Sequence, residues 1–272
     1  MKTFVKFGSG NQLLGILTGD PATSSGPILI LPSAGLQPRS GPFRLYVELG
    51  QKLAPIGIRT FRFDVPGVGE APRLAGYDEN SATLAAMDAL QERHGGSEFV
   101  VGGICSAADV GWKAAVNDRR VKGVLMLDGV SFTGPWYHYA RNLDRVRRLP
   151  HEGLRMVRDA LQRLGRKRAG DGMKSDDFRD WPTHDEARQQ FAALVARGVG
   201  QLWIYTGGFT DRFQHPRQFA WAFGDATRSP HVAMHFWRDC DHTFFARAHR
   251  DRLVGRVRDW MVELCDQSRD RS

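Results

Sequence analysis

Two patterns of apolar positions alternate along the chain and predict an α/β protein. Short apolar runs, typical of strands covered on both faces, occupy residues 27–33, 58–64, 99–101, 121–128, 201–206 and 231–237. Apolar residues at helical spacing lie between or after these runs, at residues 43–53, 78–93, 106–116, 216–223 and 247–265. This alternation predicts a mostly parallel central sheet with helices on both faces.

Two further stretches complete the predicted organisation. Residues 3–7 and 13–18 read as hairpin strands joined by a Gly- and Asn-containing turn. The alternation is lost between about residues 131 and 200, where the readable pattern is helical, with leucines and a valine along one face. We therefore predict an N-terminal core segment, a helical lid or cap insertion and a C-terminal core segment, at residues 1–130, 131–200 and 201–272.

Charge is concentrated in the predicted insertion. The chain has a formal net charge of +8, and residues 141–174 hold eleven basic against four acidic side chains, which gives +7. Such an excess favours an anionic partner. The segment lacks a nucleic-acid-binding signature and has few interleaved aromatic residues, so no nucleic-acid partner is expected.

Other features narrow the location and the chemistry. No run approaches the roughly 20 apolar residues of a transmembrane helix, and the N-terminus lacks the apolar core of a signal peptide. The cysteines Cys105, Cys240 and Cys265 do not suggest a disulfide framework, so a cytoplasmic location is predicted. No dinucleotide fingerprint or phosphate loop is present. We therefore predict no cofactor. His231 and His235 would be about 13 Å apart on one strand and could not share one ion, so no metal is predicted either.

The most informative stretch is residues 98–112, which reads as a buried strand, a tight turn at Cys105 and a helix. Gly103 and Ala107, two places before and after the cysteine, are small enough for the backbones to pass each other. A thiol at a helix N-terminus loses its proton readily. A small buried cysteine at a strand–helix junction is the alternative interpretation.

Three more polar residues lie just past predicted strands, where ligands bind in open α/β sheets: Asp128, Asp211 and His242. The order nucleophile, acid, histidine, with a helical insertion before the acid-bearing strand, resembles the α/β-hydrolase superfamily over nearly the whole chain. The elbow reads Gly-x-Cys-x-Ala where the familiar form is Gly-x-Ser-x-Gly, a cysteine-nucleophile variant. The resemblance implies Cys105 as nucleophile, Asp211 as acid and His242 as base. Asp128, which closes the preceding strand, is the alternative acid.

The resemblance also implies an oxyanion hole made of two backbone amides. One belongs to Ser106, directly after the nucleophile, and the other to Ala34, in a loop where the family usually reads His-Gly. The predicted substrate pocket is lined by aromatic residues near the ends of the insertion, with ordinary packing as the alternative: Phe132, Trp136 and Tyr137.

Together these features predict an acyl-transfer hydrolase, an esterase or thioesterase that acts on a small-molecule acyl ester or thioester through an acyl-cysteine intermediate. The arginines of the insertion favour acyl groups carried by coenzyme A or an acyl carrier protein, with a solvated helix face as the alternative. An acyltransferase that passes the acyl group to an alcohol or amine in a biosynthetic pathway is one alternative function. A non-catalytic binding module is another, because serine and the second glycine of the elbow are both replaced.

Overall fold

A single eight-stranded sheet organises the protein. The computed structural model describes residues 1–24, 26–146 and 179–269. The strands of the sheet are β1 (Lys2–Phe7), β2 (Leu13–Thr18), β3 (Ile28–Pro32), β4 (Thr60–Phe63), β5 (Phe99–Ile104), β6 (Val121–Leu127), β7 (Gly200–Thr206) and β8 (Val232–Trp237).

The strand order is β1-β2-β4-β3-β5-β6-β7-β8. The hairpin strands β1 and β2 are antiparallel, and β3 to β8 run parallel to one another. The mostly parallel sheet predicted from the apolar runs is thus confirmed. Parallel strands end at the same edge of a sheet, so residues that follow them come together there.

The β5–β6 pairing contains one irregularity. Phe99 lies opposite Val121, but the next residue of β5, Val100, lies opposite Gly123. The pairing then runs regularly to Ile104 opposite Leu127. The residues that follow β5 and β6 therefore leave the sheet side by side.

Helices cover both faces of the sheet, as predicted. They are α1 (Leu45–Leu53), α2 (Glu79–His94), α3 (Ser106–Asn117), α4 (described over residues 135–146), α5 (His184–Ala196), α6 (Arg217–Phe223) and α7 (Arg247–Arg269). Buried side chains of α1 and α7 form one core cluster with the sheet, and those of α2, α3, α5 and α6 form the other. In the described ranges, no helix combines the length and the apolar character that crossing a membrane requires.

The predicted insertion is described only at its two ends. Helix α4 follows β6, and residues 179–183 lead into α5, whose Phe191 stacks on Trp112 of α3 with ring centroids 6.3 Å apart. The leucine-lined helix expected around residues 154–164 and most of the basic residues lie outside the described residues. The insertion boundaries at residues 131 and 200 stay a prediction.

Candidate active site

Cys105 occupies a sharp turn between β5 and α3. Its backbone has φ 54° and ψ −123°, a conformation that non-glycine residues rarely adopt, and it precedes the first residue of the helix. Its amide donates to the carbonyl of Leu127 over 2.8 Å, which extends the β5–β6 pairing into the turn. The strand, turn and helix predicted around this cysteine are therefore present, and β5 runs three residues further than expected, to Ile104.

The backbone before the turn is packed too closely for side chains. A Cβ at Gly102 would lie 2.1 Å from the carbonyl oxygen of Leu125, and one at Gly103 would lie 2.2 Å from the hydroxyl of Tyr46. That hydroxyl accepts a hydrogen bond of 2.9 Å from the Ile104 amide. Only glycine permits this approach, and the buried tyrosine of α1 fixes the turn from below.

Asp128 leaves β6 beside the cysteine. It also has a positive φ, 50°, and its side chain is fully buried. Its carboxylate accepts hydrogen bonds of 2.7 Å from the amide and the hydroxyl of Thr206, at the end of β7. The same carboxylate lies 2.7 Å from Nδ1 of His242. Three polar groups thus hold this buried carboxylate in one orientation.

His242, on the loop between β8 and α7, joins the acid to the thiol. With Nδ1 bonded to Asp128, the ring's other nitrogen is left to interact with the Cys105 thiol, and this interaction contributes to the raised pKa of the imidazole. Phe209 stacks on the imidazole at 6.1 Å between ring centroids. A Cβ at Gly208 would lie 2.2 Å from the His242 backbone nitrogen, so the glycine turn after β7 makes room for the histidine loop.

The structure pairs His242 with the alternative acid, Asp128, and places Asp211 elsewhere. Asp211 is exposed, and its backbone carbonyl accepts a 2.9 Å hydrogen bond from the hydroxyl of Tyr137. The glycine turn that was expected to direct the Asp211 carboxylate at the imidazole instead carries the chain past it. Because Nδ1 has a single proton to donate and Asp128 accepts it, the structure brings the alternative acid, and not Asp211, to the imidazole.

The electrostatics of the pair favour a thiolate and an imidazolium. Burial alone would raise the pKa of Cys105, but the hydrogen bond to His242 and the charge of Arg179 outweigh it, so this pKa is lowered from 9.0. Burial likewise opposes the charged form of His242, but the hydrogen bonds to Asp128 and Cys105 prevail and raise its pKa to about 10. Each partner therefore stabilises the charged form of the other.

The two residues predicted to supply oxyanion-hole amides lie in segments that a hydrogen bond joins. Ser106 is the first residue of α3, and its hydroxyl accepts a 2.8 Å hydrogen bond from the amide of Gly35. This bond ties the loop that carries Ala34 to the elbow. Within the part of the chain that the structure describes, neither the Ala34 nor the Ser106 amide has an acceptor. Both amides could donate to an oxygen, and their role as an oxyanion hole stays a prediction.

One ion pair at the elbow is not predicted by the sequence. The guanidinium of Arg179 donates to both oxygens of Asp109 over 2.7 and 2.8 Å, and its side chain is 10% exposed. Asp109 lies four residues after Cys105, so helical spacing alone predicts that it lies on the side of α3 next to Cys105. Arg179 has no comparable signal, because it stands in an irregular stretch before Trp181 and Pro182.

A cavity of about 1010 Å³ opens above the thiol. It is lined by Cys105, Ser106, His242 and Arg179, together with apolar side chains from the surrounding loops, among them Leu36, Val68, Tyr77, Trp181 and Phe209. Cavities of this size accept drug-sized organic ligands. Asp211 and Arg212 also lie along its wall.

The three aromatic residues predicted to line the pocket are placed elsewhere. Phe132 packs against Phe223 and the ring of His184, Trp136 stacks on His215, and the buried Tyr137 holds the Asp211 backbone. Their positions follow the alternative of ordinary packing, because α4 turns away from the elbow toward α5 and α6. Trp181, at the other end of the insertion, does line the cavity.

One group of metal-ligating residue types occurs near the histidine loop. Ligand atoms of Asp239, Cys240 and His249 lie within 4.8 Å of one another in the described residues. The Arg252 guanidinium already approaches the Asp239 carboxylate to 3.2 Å, and burial raises the pKa of Cys240 to about 11. The arginine charge and the protonated thiol both disfavour a cation there.

A mostly parallel α/β sheet with a strand–turn–helix elbow and a histidine supported by a buried carboxylate is the architecture of the α/β-hydrolases. A sequence model described as alpha/beta hydrolase fold matches residues 27–194, well over half of the chain. The chain belongs to this family.

Solved structures show the same fold. A protein of unknown function from Agrobacterium tumefaciens aligns over 98% of this chain and 97% of its own, with 13% identity and a TM-score of 0.61. A thermophilic esterase from Thermogutta terrifontis aligns over 97% of this chain and 99% of its own, with 17% identity and a TM-score of 0.55. The esterase PF2001 of Pyrococcus furiosus aligns over 97% of this chain and 90% of its own, with 13% identity and a TM-score of 0.59. A search of curated proteins gave no match.

Proposed function

We propose that the protein is a hydrolase that cleaves esters or thioesters through Cys105, with His242 as acid and base and Asp128 as the residue that orients the imidazole. The observation that carries this proposal is the 2.7 Å contact between the buried Asp128 carboxylate and His242, whose imidazole interacts with the Cys105 thiol, both Cys105 and His242 lying on the wall of the cavity. Esterases among the structural neighbours are consistent with it.

In the first half of the reaction, the Cys105 thiolate attacks the substrate carbonyl carbon. The carbonyl oxygen becomes an oxyanion, which accepts hydrogen bonds from the amides of Ala34 and Ser106. Collapse of this intermediate breaks the bond to the leaving oxygen or sulfur, and the imidazolium of His242 gives it a proton. The product is an acyl-cysteine thioester and a neutral imidazole.

In the second half, His242 takes a proton from water, and the resulting hydroxide attacks the thioester carbonyl. The two amides again hold the oxyanion. Its collapse releases the carboxylic acid and returns the thiolate, beside an imidazolium whose charge Asp128 stabilises. No step needs a group beyond water and these side chains.

The substrate class follows from the cavity and the intermediate. The apolar lining favours an acyl chain, and its volume leaves room for a chain of several carbons with its leaving group. Coenzyme A and acyl carrier protein remain proposals from the sequence, because most of the arginines that favour them, such as Arg147, Arg148, Arg166 and Arg168, lie outside the described residues.

The test is trapping of the acyl-enzyme. The protein is mixed with octanoyl-coenzyme A, octanoyl-N-acetylcysteamine or p-nitrophenyl octanoate, and intact mass and peptide mapping follow the adduct. We expect an adduct on Cys105 that persists in the His242→Ala variant, and none in Cys105→Ala. Cys240→Ala is the matched control, since that thiol is buried with a raised pKa, and it should behave as wild type.

Other outcomes select the alternatives. Transfer of the octanoyl group to an added alcohol or amine, with little free acid, would support the acyltransferase. The absence of any adduct, with equal and slow iodoacetamide labelling of all three cysteines, would refute the catalytic proposal in favour of a binding module. A lower KM for the coenzyme A thioester than for the N-acetylcysteamine thioester would support recognition of the phosphates.

A further inference from the structure

The structure assigns a second role at the elbow to Arg179: we propose that it is a positioning residue, whose guanidinium holds the backbones of Cys105 and Asp128 together and places a buried positive charge beside the thiol. This inference rests on the proposed function, because it concerns the same nucleophile and the same acid.

The first observation is what the guanidinium bonds. Besides its two bonds to Asp109, it donates to the carbonyl oxygen of Asp128 over 3.2 and 3.3 Å and to that of Cys105 over 3.3 Å. The two carbonyls belong to the residues that directly follow two neighbouring strands, β5 and β6. One planar group therefore bridges the nucleophile and the acid.

The second observation is the backbone of those two residues. Cys105 and Asp128 both have φ near +50°, and non-glycine residues in this region are strained and persist only where their surroundings hold them. Of the six non-glycine residues with positive φ in the described ranges, these are the two whose carbonyls Arg179 binds. The guanidinium thus binds the carbonyls of two residues whose backbone needs support from its surroundings.

The third observation is how firmly the arginine is held. Asp109 binds it bidentately from α3, and the guanidinium lies over the ring of Trp181 at 4.5 Å and near that of Phe209 at 5.8 Å. A planar guanidinium that a carboxylate binds on one edge and an aromatic ring covers on one face has little freedom to rotate. Its remaining N–H groups are directed at the two carbonyls.

The charge around the thiol comes from several elements. His242 and Arg179 favour the thiolate, whereas Asp109 opposes it. Other ionisable groups interact with members of this cluster: Asp128 with His242 and Arg179, Lys113 and Glu79 with Asp109, Tyr46 with Cys105, and Tyr205 with Asp128. Arg179 and Asp109 form a pair whose two charges act on the thiol with opposite signs.

The opposite signs make the test specific. In Arg179→Met, the pKa of Cys105 should rise and turnover of p-nitrophenyl octanoate should fall by on the order of 10- to 100-fold, because charge and hydrogen bonds are both lost. In Asp109→Asn, the pKa of Cys105 should move the other way. Arg179→Lys keeps the charge but loses the planar guanidinium that bonds both carbonyls. It should therefore leave the pKa of Cys105 low while turnover stays reduced.

The pKa is read from the pH dependence of iodoacetamide labelling of Cys105, resolved by peptide mass. The matched control is Arg197→Met, since Arg197 donates to the carbonyls of Ala115 and Asp118 at the far end of α3. It should change neither the labelling profile nor turnover. If Arg179→Met does not fold, the lysine and asparagine variants still decide the question.

Three results would overturn the inference. They are unchanged labelling and turnover in Arg179→Met, full recovery of turnover in Arg179→Lys, or shifts of the same sign in Arg179→Met and Asp109→Asn. Failure of the proposed function looks different. It would appear in the wild-type protein, as a Cys105 that labels with an ordinary thiol pKa and forms no acyl adduct.

Discussion

The identity of the acid is the sharpest prediction, because two aspartates were candidates and only one contacts the imidazole. Asp128→Asn changes one oxygen to an amide nitrogen in a site where three hydrogens converge: the amide N–H and hydroxyl of Thr206, and Nδ1–H of His242. The backbone N–H of Thr206 cannot rotate, so the remaining oxygen of the asparagine must accept from it. The NH₂ group then faces Nδ1 of His242.

The magnitude follows from this geometry. A donor opposite Nδ1 makes that nitrogen the acceptor and moves the ring proton to Nε2, which can then no longer take a proton from the thiol or from water. The imidazolium loses a charge-assisted hydrogen bond, about 1.5–3 kcal/mol, and meets an unfavourable donor of similar cost. The sum is about 3–6 kcal/mol, so kcat/KM should fall by about 10²- to 10⁴-fold.

Asp211→Asn is the matched control, because it makes the same chemical change on an exposed carboxylate at the wall of the same cavity. Its effect should stay under about threefold. Both variants are assayed with p-nitrophenyl octanoate across pH, with thermal unfolding to confirm folding. A folded Asp128→Asn enzyme of near wild-type activity, or an equal loss in Asp211→Asn, would refute the assignment of Asp128.

Two further predictions concern the histidine loop and the ion pair. Gly208→Ala should lower kcat by on the order of 10²-fold, because its Cβ would lie 2.2 Å from the backbone nitrogen of His242 and displace the imidazole. Gly255→Ala on α7 meets open space and should leave kcat unchanged; an active Gly208→Ala enzyme would contradict the expected crowding. The lowered pKa of Cys105 and the raised pKa of His242 act on stability in opposite directions: up to pH 9.0 the thiol's contribution grows with pH and offsets part of the imidazole's loss. From pH 9.0 to about 10 only the loss from His242 remains, so stability falls as pH rises. In Cys105→Ala, where the raised pKa of His242 stands alone, stability should already fall above pH 6.5, and parallel urea-unfolding profiles of the two proteins would contradict the ion pair.

The sequence predicted the elements that depend on local pattern. Apolar runs identified every parallel strand, and Cys105 and His242 were found because each follows such a run in the expected order. Ser106 and Ala34 were predicted from their places beside the elbow and after β3, and their role stays a prediction. These residues are set by neighbours close in the chain, which the sequence displays directly.

The parts that depend on the path of the chain in space could not be predicted in the same way. The choice between Asp128 and Asp211 depends on whether the turn after β7 brings the Asp211 carboxylate, or another side chain such as Phe209, to the imidazole. Whether Trp136 or Trp181 meets the cavity depends on the course of the insertion. Arg179 acquires its partners only when that insertion returns to α3. The position of Asp109 next to Cys105 could have been predicted from helical periodicity.

The bulge at the start of β6 has a consequence at the other end of the strand. If the pairing ran without interruption from Phe99 opposite Val121, Leu127 would stand beside Cys105 in place of Asp128. Adjacent residues of a strand point to opposite faces, so an aliphatic side chain would then occupy the position of the acid. The extra residue, Lys122, is six residues before Asp128 and so lies about 20 Å from it at 3.3 Å per residue. Alignment of the acid with the thiol is thus decided where the strand enters the sheet, far from any substrate.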